Sequence, residues 1–159
     1  MKNIRIWNLA TQQCVRTLRR HEHIVECINF SDESDVRLEK FKHANGTTTD
    51  NSSKKNQYLI SGGRDKMIYI WNVETGQCVA TLKGHDSWVK EAFILPNMSH
   101  AISCSDDRSI RVRDRNTELC IKKIAEAHSH FVSCMEVCHQ RPVIATGGVD
   151  SKIRIWECR

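Results

Sequence analysis

The tetrapeptide "IRIW" stands at Ile4–Trp7 and again at Ile153–Trp156, with "IYIW" ending at Trp71 and "IRVR" ending at Arg113 between the two copies. The last residues of these four phrases are separated by 64, 42 and 43 positions. A second landmark, a His followed by a short strand-like run and then an Asp six residues before the end of the phrase, gives an independent measure. His85 to Asp107 and His128 to Asp150 each span 22 positions, whereas His21 to Asp65 spans 44. Both landmarks therefore place one insertion of about 22 residues in one copy of a 42- to 43-residue repeat.

A period of this length, carried by short apolar runs, predicts an all-β chain built from four-stranded propeller blades. Helical solenoids of similar period do not fit. "VECINF", "YLISGG", "MIYIW" and "CVATL" are short, β-rich and punctuated by Gly, Asp, Asn and Ser, without a helical stripe. With strands lettered a to d, the second full unit reads as Val89 to Leu95, His100 to Cys104, Ser109 to Arg113 and Cys120 to Ile124.

Composition agrees. The chain is 40% hydrophobic with only two prolines, enough for a sizeable core and compatible with extensive sheet. It contains neither a run of about 18 apolar residues nor an apolar N-terminal segment. The expectation is a cytosolic protein in which the sequons at Asn45, Asn51 and Asn97 stay unmodified.

Eight cysteines and eight histidines invite a zinc or disulfide reading, yet there is no CxxC. Cys14, Cys78 and Cys120 recur at the repeat interval and are expected to be buried structural thiols on strand d. Cys134 and Cys138 lie four apart along a strand, too far for easy joint ligation, so no metal and no cofactor are expected.

The histidines carry more information. His21, His85 and His128 each precede strand a; Ser61, Ser103 and Thr146 end strand b; Asp65, Asp107 and Asp150 occupy the b–c turn. Trp71 and Trp156 complete two of the three sets. An indole N–H, a hydroxyl, an imidazole and a carboxylate can satisfy one another in a chain, which buried polar groups require. Ser, His and Asp could instead suggest a hydrolase, but three copies at fixed spacing are what architecture produces, and a catalytic site is normally single. No enzyme is expected.

The His, Ser or Thr, Asp and Trp in this order resemble the WD-repeat propellers. Within them, "HEHIVECI", "SGGRDKMIYIWNVETGQCVATLKGHDSWV", "SCSDDRSIRV", the terminal "IRIWECR" and the insertion from about Glu33 to Gln57 resemble the C-terminal part of the lissencephaly-1 family of cytoplasmic dynein regulators. That resemblance implies a seven-bladed propeller of which about three and a half blades are present, as expected for a fragment or truncated gene product. The expected division is residues 1–18 as strands c and d of an incomplete blade, 19–82 as a repeat with a polar insertion near 33–57, 83–124 as a repeat, and 125–159 as the C-terminal repeat. End-to-end joining of two copies would leave each junction with one strand too many.

Two departures stand out. Arg113 replaces the expected Trp, so the second network is expected to lack its indole donor, with a guanidinium that could reach Asp107. The insertion is polar and aperiodic, and is expected to be a mobile loop on the a–b side.

On the opposite face, formed by the d–a and b–c loops, the sequence sets Arg64, Trp88 and Arg108. Trp and Arg dominate binding hot spots. The resemblance implies that this face binds the dynein motor domain, with NudE-type coiled-coil proteins and acetylhydrolase catalytic subunits as further partners. It also implies a place in the cytoplasm on microtubules and centrosomes, in minus-end-directed transport, nuclear positioning and mitosis. The alternatives are a generic WD-repeat scaffold, such as a ubiquitin-ligase substrate receptor, or the non-catalytic subunit of platelet-activating factor acetylhydrolase IB. The net charge of +5 permits an acidic partner. Basic residues spread through every repeat without an aromatic platform argue against nucleic acid, and no amphipathic helix supports membrane binding.

Overall fold

The computed structural model describes residues 2–32, 57–95, 99–138 and 141–157; most of the polar insertion lies outside them. Every regular element among them is a β-strand. A two-stranded sheet pairs β1 (Asn3–Asn8) with β2 (Gln13–Arg19). Two four-stranded antiparallel sheets follow. The first runs β3 (Val25–Asp32), β4 (Gln57–Gly63), β5 (Ile68–Asn72), β6 (Cys78–Leu82), and the second β7 (Val89–Ile94), β8 (His100–Ser105), β9 (Ile110–Asp114), β10 (Cys120–Ile124). A three-stranded sheet of β11 (Val132–Cys138), β12 (Val143–Gly148) and β13 (Ile153–Glu157) completes the order. This is part of a propeller: three sheets with strands in the order a to d or a to c, preceded by a c–d pair.

Local chemistry explains why the units are alike. At the ends of β1, β5 and of the third strand of the second full sheet, an Asn or Asp side chain closes the turn by accepting backbone N–H groups. Asn8 Oδ1 accepts from Ala10 and Thr11, Asn72 Oδ1 from Thr75, and Asp114 Oδ1 from Asn116 and Thr117. The turn then passes through a left-handed residue, Gln12, Gly76 or Glu118, at φ 57°, 74° and 61°. The c–d ladders share one register, with Trp7 opposite Cys14, Trp71 opposite Cys78 and Arg113 opposite Cys120, and a bulge in the same place each time.

The core lies between sheets. Ile4 and Leu18 pack on Leu59, Tyr69 and Trp71. Ile60, Ile70, Ala80 and Leu82 of the first blade meet Val89, Ala92 and Ile94 of the second. Ile102 and Ile110 meet Val132, Met135 and Ile144 of the third. The a-strands β3, β7 and β11 stand side by side, as face-to-face packing about an axis requires.

One expectation is corrected here. Cys14 and Cys120 are exposed and Cys78 is only half-buried. They occupy equivalent places at the start of strand d, each Sγ donating to the carbonyl two residues on (Arg16, Ala80 and Lys122), but strand d is the outer rim of a blade, where less packing covers them. Among the described residues the buried thiols are Cys27 and Cys104, and burial pushes Cys27 up to about 12, which leaves it an inert thiol.

Because Ile70 is fully buried between two blades, Ile70→Ala is expected to cost about 2–5 kcal/mol in urea unfolding. Val79→Ala, on the exposed side of β6, should change the midpoint by less than about 0.5 kcal/mol.

Candidate partner-binding face

Each blade is tied at one end by the same buried network. His21 Nδ1 donates to Asp65 Oδ2 at 2.8 Å, and its Nε2 lies 2.9 Å from Ser61 Oγ, which accepts the Trp71 indole N–H at 2.9 Å. His85 joins Asp107 and Ser103, both at 2.8 Å, and His128 joins Asp150 and Thr146, both at 2.9 Å, with Trp156 donating to Thr146 at 2.9 Å. A carboxylate only accepts, so the imidazole proton sits on Nδ1, and Nε2 accepts the hydroxyl proton. The bonds then run in one direction, from indole to hydroxyl to imidazole to carboxylate. The hydroxyls of Ser61, Ser103 and Thr146 are buried, so no substrate reaches them.

The carboxylates also clamp two loops together. Asp65 accepts the backbone N–H of Glu22 in the d–a loop and of Met67 beyond the b–c turn. Asp107 holds Asp86 and Ser109 in the same way, and Asp150 holds Ser129 and Lys152. Burial pushes the His21 and His85 imidazoles below the usual value, more strongly than their carboxylates raise them. Burial would raise Asp107 and Asp150, but the hydrogen bonds from His85 and His128, and from the neighbouring hydroxyl and backbone groups, hold both well below the usual carboxylate range.

The second blade departs from the expectation for Arg113. Its guanidinium does not reach Asp107; it occupies the indole's place and Nη1 donates to Ser103 Oγ at 3.1 Å, with Nε donating to Lys83 O at 3.2 Å. The donor is therefore kept, but Arg113 is 1% exposed and its Nη2 is buried without a hydrogen-bond partner. Arg111 is the residue that meets Asp107, at 3.5 Å, and Asp86, at 3.0 Å. It shares one face of β9 with Arg113 because residues two apart on a strand point the same way.

Above these networks lie the d–a and b–c loops. The Arg64 guanidinium stacks on the exposed Trp88 ring, 4.0 Å from its centroid, and pairs with Glu26; Lys90 of the next blade also pairs with Glu26, at 2.9 Å. These partners hold the Glu26 carboxyl below its usual range. Asp106, whose backbone N–H donates to Trp88 O at 3.0 Å, lies in the same field; burial raises its carboxyl. The structure thus brings Arg64 and Trp88 together across a blade boundary. Arg108 is exposed at the left-handed position of its turn, φ 65°, equivalent to Lys66 and Ser151, and its side chain makes no ion pair or hydrogen bond among the described residues.

Two residues escaped the sequence reading. Ile24 and Phe131 occupy the place of Trp88 in the other blades: both are exposed, and their carbonyls accept from Arg64 N and Val149 N as Trp88 accepts from Asp106 N. The signal was present in "HEHIV", "HDSWV" and "HSHFV", where an apolar residue always stands three after the His. Among the described residues no group of three or more His, Cys, Asp or Glu is placed to hold a metal.

A family model described as WD domain, G-beta repeat matches residues 42–72, 76–114 and 119–157. The chain belongs to the WD-repeat family. Within it, the chain is similar to the Lissencephaly-1 homolog of Dictyostelium discoideum, 40% identical over 150 residues that are 87% of this chain and 35% of that protein. It is 44% identical over 148 residues to the Lissencephaly-1 homolog of Heterostelium pallidum, 86% of this chain and 35% of that protein. It is also 31% identical over 180 residues to the nuclear distribution protein nudF of Aspergillus niger, 95% of this chain and 39% of that protein. These matches support the lissencephaly-1 family. The chain spans about 35–39% of the length of these curated relatives.

Two predictions follow from the networks. The folded state holds His21 and His85 neutral while the unfolded chain protonates them at 6.5, so the unfolded state binds more protons there. Urea midpoints should fall as pH drops through about 6.5, and fall further below about 3.8 as the unfolded counterparts of Asp107 and Asp150 take up protons. Arg113→Trp should raise stability by about 1–3 kcal/mol, because it keeps the bond to Ser103 while removing a buried charge and an unpartnered Nη2.

Proposed function

We propose that this chain forms a protein-docking part of a non-catalytic regulator of cytoplasmic dynein, and that the d–a and b–c face meets the motor domain. The observation that carries this reading is the Arg64–Trp88 stack at a blade boundary, in a chain similar to lissencephaly-1 homologs and nuclear distribution proteins. A planar cation on an indole presents rigid area with little rotamer entropy to lose, and both residue types recur in hot spots. Glu26 fixes the guanidinium beneath the partner, while Arg108, free of such a pair, offers charge for an acidic surface.

A non-catalytic role is supported by the three buried hydroxyls, whose protons are already committed to imidazoles. In this reading NudE-type coiled-coil proteins and acetylhydrolase catalytic subunits are further partners. The setting is the cytoplasm, on microtubules and centrosomes, in minus-end-directed transport, nuclear positioning and mitosis.

The test is binding of the dynein motor domain, with melting curves as controls. Trp88→Ala should weaken binding by more than about 2 kcal/mol, roughly thirtyfold, without shifting the melt. Arg108→Ala should lower the salt sensitivity of binding, whereas Arg64→Ala should act mainly through the loss of its stack on Trp88. Normal binding by a folded triple variant removes this face as the docking site.

A further inference from the structure

Arg115 stands at an apolar place in the repeat. The residue after the Asn or Asp that closes the c–d turn is Leu9 beside β1, Val73 in the first complete blade and Arg115 in the second. The backbone behaves alike in both complete blades, Val73 N donating to Gln57 O and Arg115 N to Ser99 O, so the turn itself does not require a cation. The Arg115 guanidinium crosses the boundary between these blades and lies over the Tyr58 ring, 4.7 Å from its centroid. At the opposite end of the same boundary Arg64 stacks on Trp88, but there Glu26 supplies a carboxylate. Arg115 makes no ion pair among the described residues, and its Nη1 is buried without a hydrogen-bond partner. An unmatched, partly desolvated guanidinium is costly to the fold.

Beside it a cleft of about 270 Å³ opens between the two blades, walled by Tyr58, Val79, Arg115, Asn116 and Glu118. Glu118 takes the left-handed position of its turn, φ 61°, where the preceding blade has Gly76. That conformation is unfavourable for a side chain other than glycine. Its carboxylate is nevertheless put to use: Oε1 accepts the Thr81 N–H of β6 at 2.9 Å and ties the turn to the preceding blade. Tyr58 and Asn116 carry groups that can donate hydrogen bonds, and the exposed Val79 gives an apolar wall.

We propose that this cleft, on the side away from the d–a and b–c loops, takes the carboxylate of a Glu or Asp side chain of a protein partner. A carboxylate supplies the single negative charge that Arg115 lacks, and its planar fork matches two parallel guanidinium N–H groups. A doubly charged phosphate would meet Glu118 as a like charge. The size points the same way: about 270 Å³ lies below the roughly 300–1,000 Å³ of small-molecule pockets and suits one inserted side chain. The stack on Tyr58 holds the guanidinium in place before the partner arrives, so little rotamer freedom is lost on binding. The proposal does not depend on the dynein reading, which concerns the opposite face.

Nuclear magnetic resonance of the isotope-labelled chain tests it, with a capped pentapeptide carrying a central Glu as the probe. The peptide should shift the Arg115 Nε–H and Tyr58 ring resonances to saturation and leave the Trp88 indole N–H unmoved. The same peptide with Gln in place of Glu, and inorganic phosphate, should each bind at least about tenfold more weakly. Arg115→Gln should abolish the shifts at Tyr58, and Arg115→Lys, which keeps the charge without the fork, should weaken binding about three- to tenfold. The comparison of Glu and Gln peptides uses the parent chain alone and therefore stands if a variant fails to fold. Equal binding of the two peptides, tighter binding of phosphate, shifts centred on Trp88, or undiminished binding by a folded Arg115→Gln chain would each overturn the proposal.

Discussion

In every blade a carboxylate that can only accept is buried against an imidazole that must then donate, and the same carboxylate holds backbone N–H groups from two loops. That clamp fixes the d–a loop against the b–c turn. It also sets the height and direction of whatever follows three residues after the His. Ile24, Trp88 and Phe131 stand where they do because their carbonyls accept from the clamped turns. The presentation of the d–a and b–c face is thus a consequence of burying polar groups that have to find partners.

The clamp tolerates substitution where its direction survives. In the second blade a guanidinium replaces an indole, and the chain of bonds to Ser103, His85 and Asp107 keeps its sense because both groups only donate. The difference is charge. Arg111 balances itself against Asp86 and Asp107, while Arg113 is buried with its Nη2 unmet. Protonating an imidazole would reverse its bond to the hydroxyl, since Nε2 would then donate and the hydroxyl proton would need another acceptor.

Packing is modular in the same way. Each blade buries one face against the next, so apolar positions that are interior in the middle of the arc are surface at its ends. The chain spans 35% of the length of the Dictyostelium relative. One c–d register recurs in the three c–d pairs of the described residues.

The sequence by itself determined the period, the strand order and the His, hydroxyl and Asp members of the three networks, because each depends on residue type at fixed spacing. The strands expected at Val89, His100 and Cys120 begin at those residues. Tertiary structure decided what spacing does not encode. Strand position showed that Cys14, Cys78 and Cys120 are equivalent, but their exposure depends on whether another sheet covers the rim. Spacing alone sets Arg113 in the indole's place, but that Arg111 and not Arg113 meets Asp107 is settled by where each guanidinium lies in the fold. Arg64 and Trp88, 24 positions apart and in different blades, touch only because two blades pack side by side, and no local pattern fixes that contact.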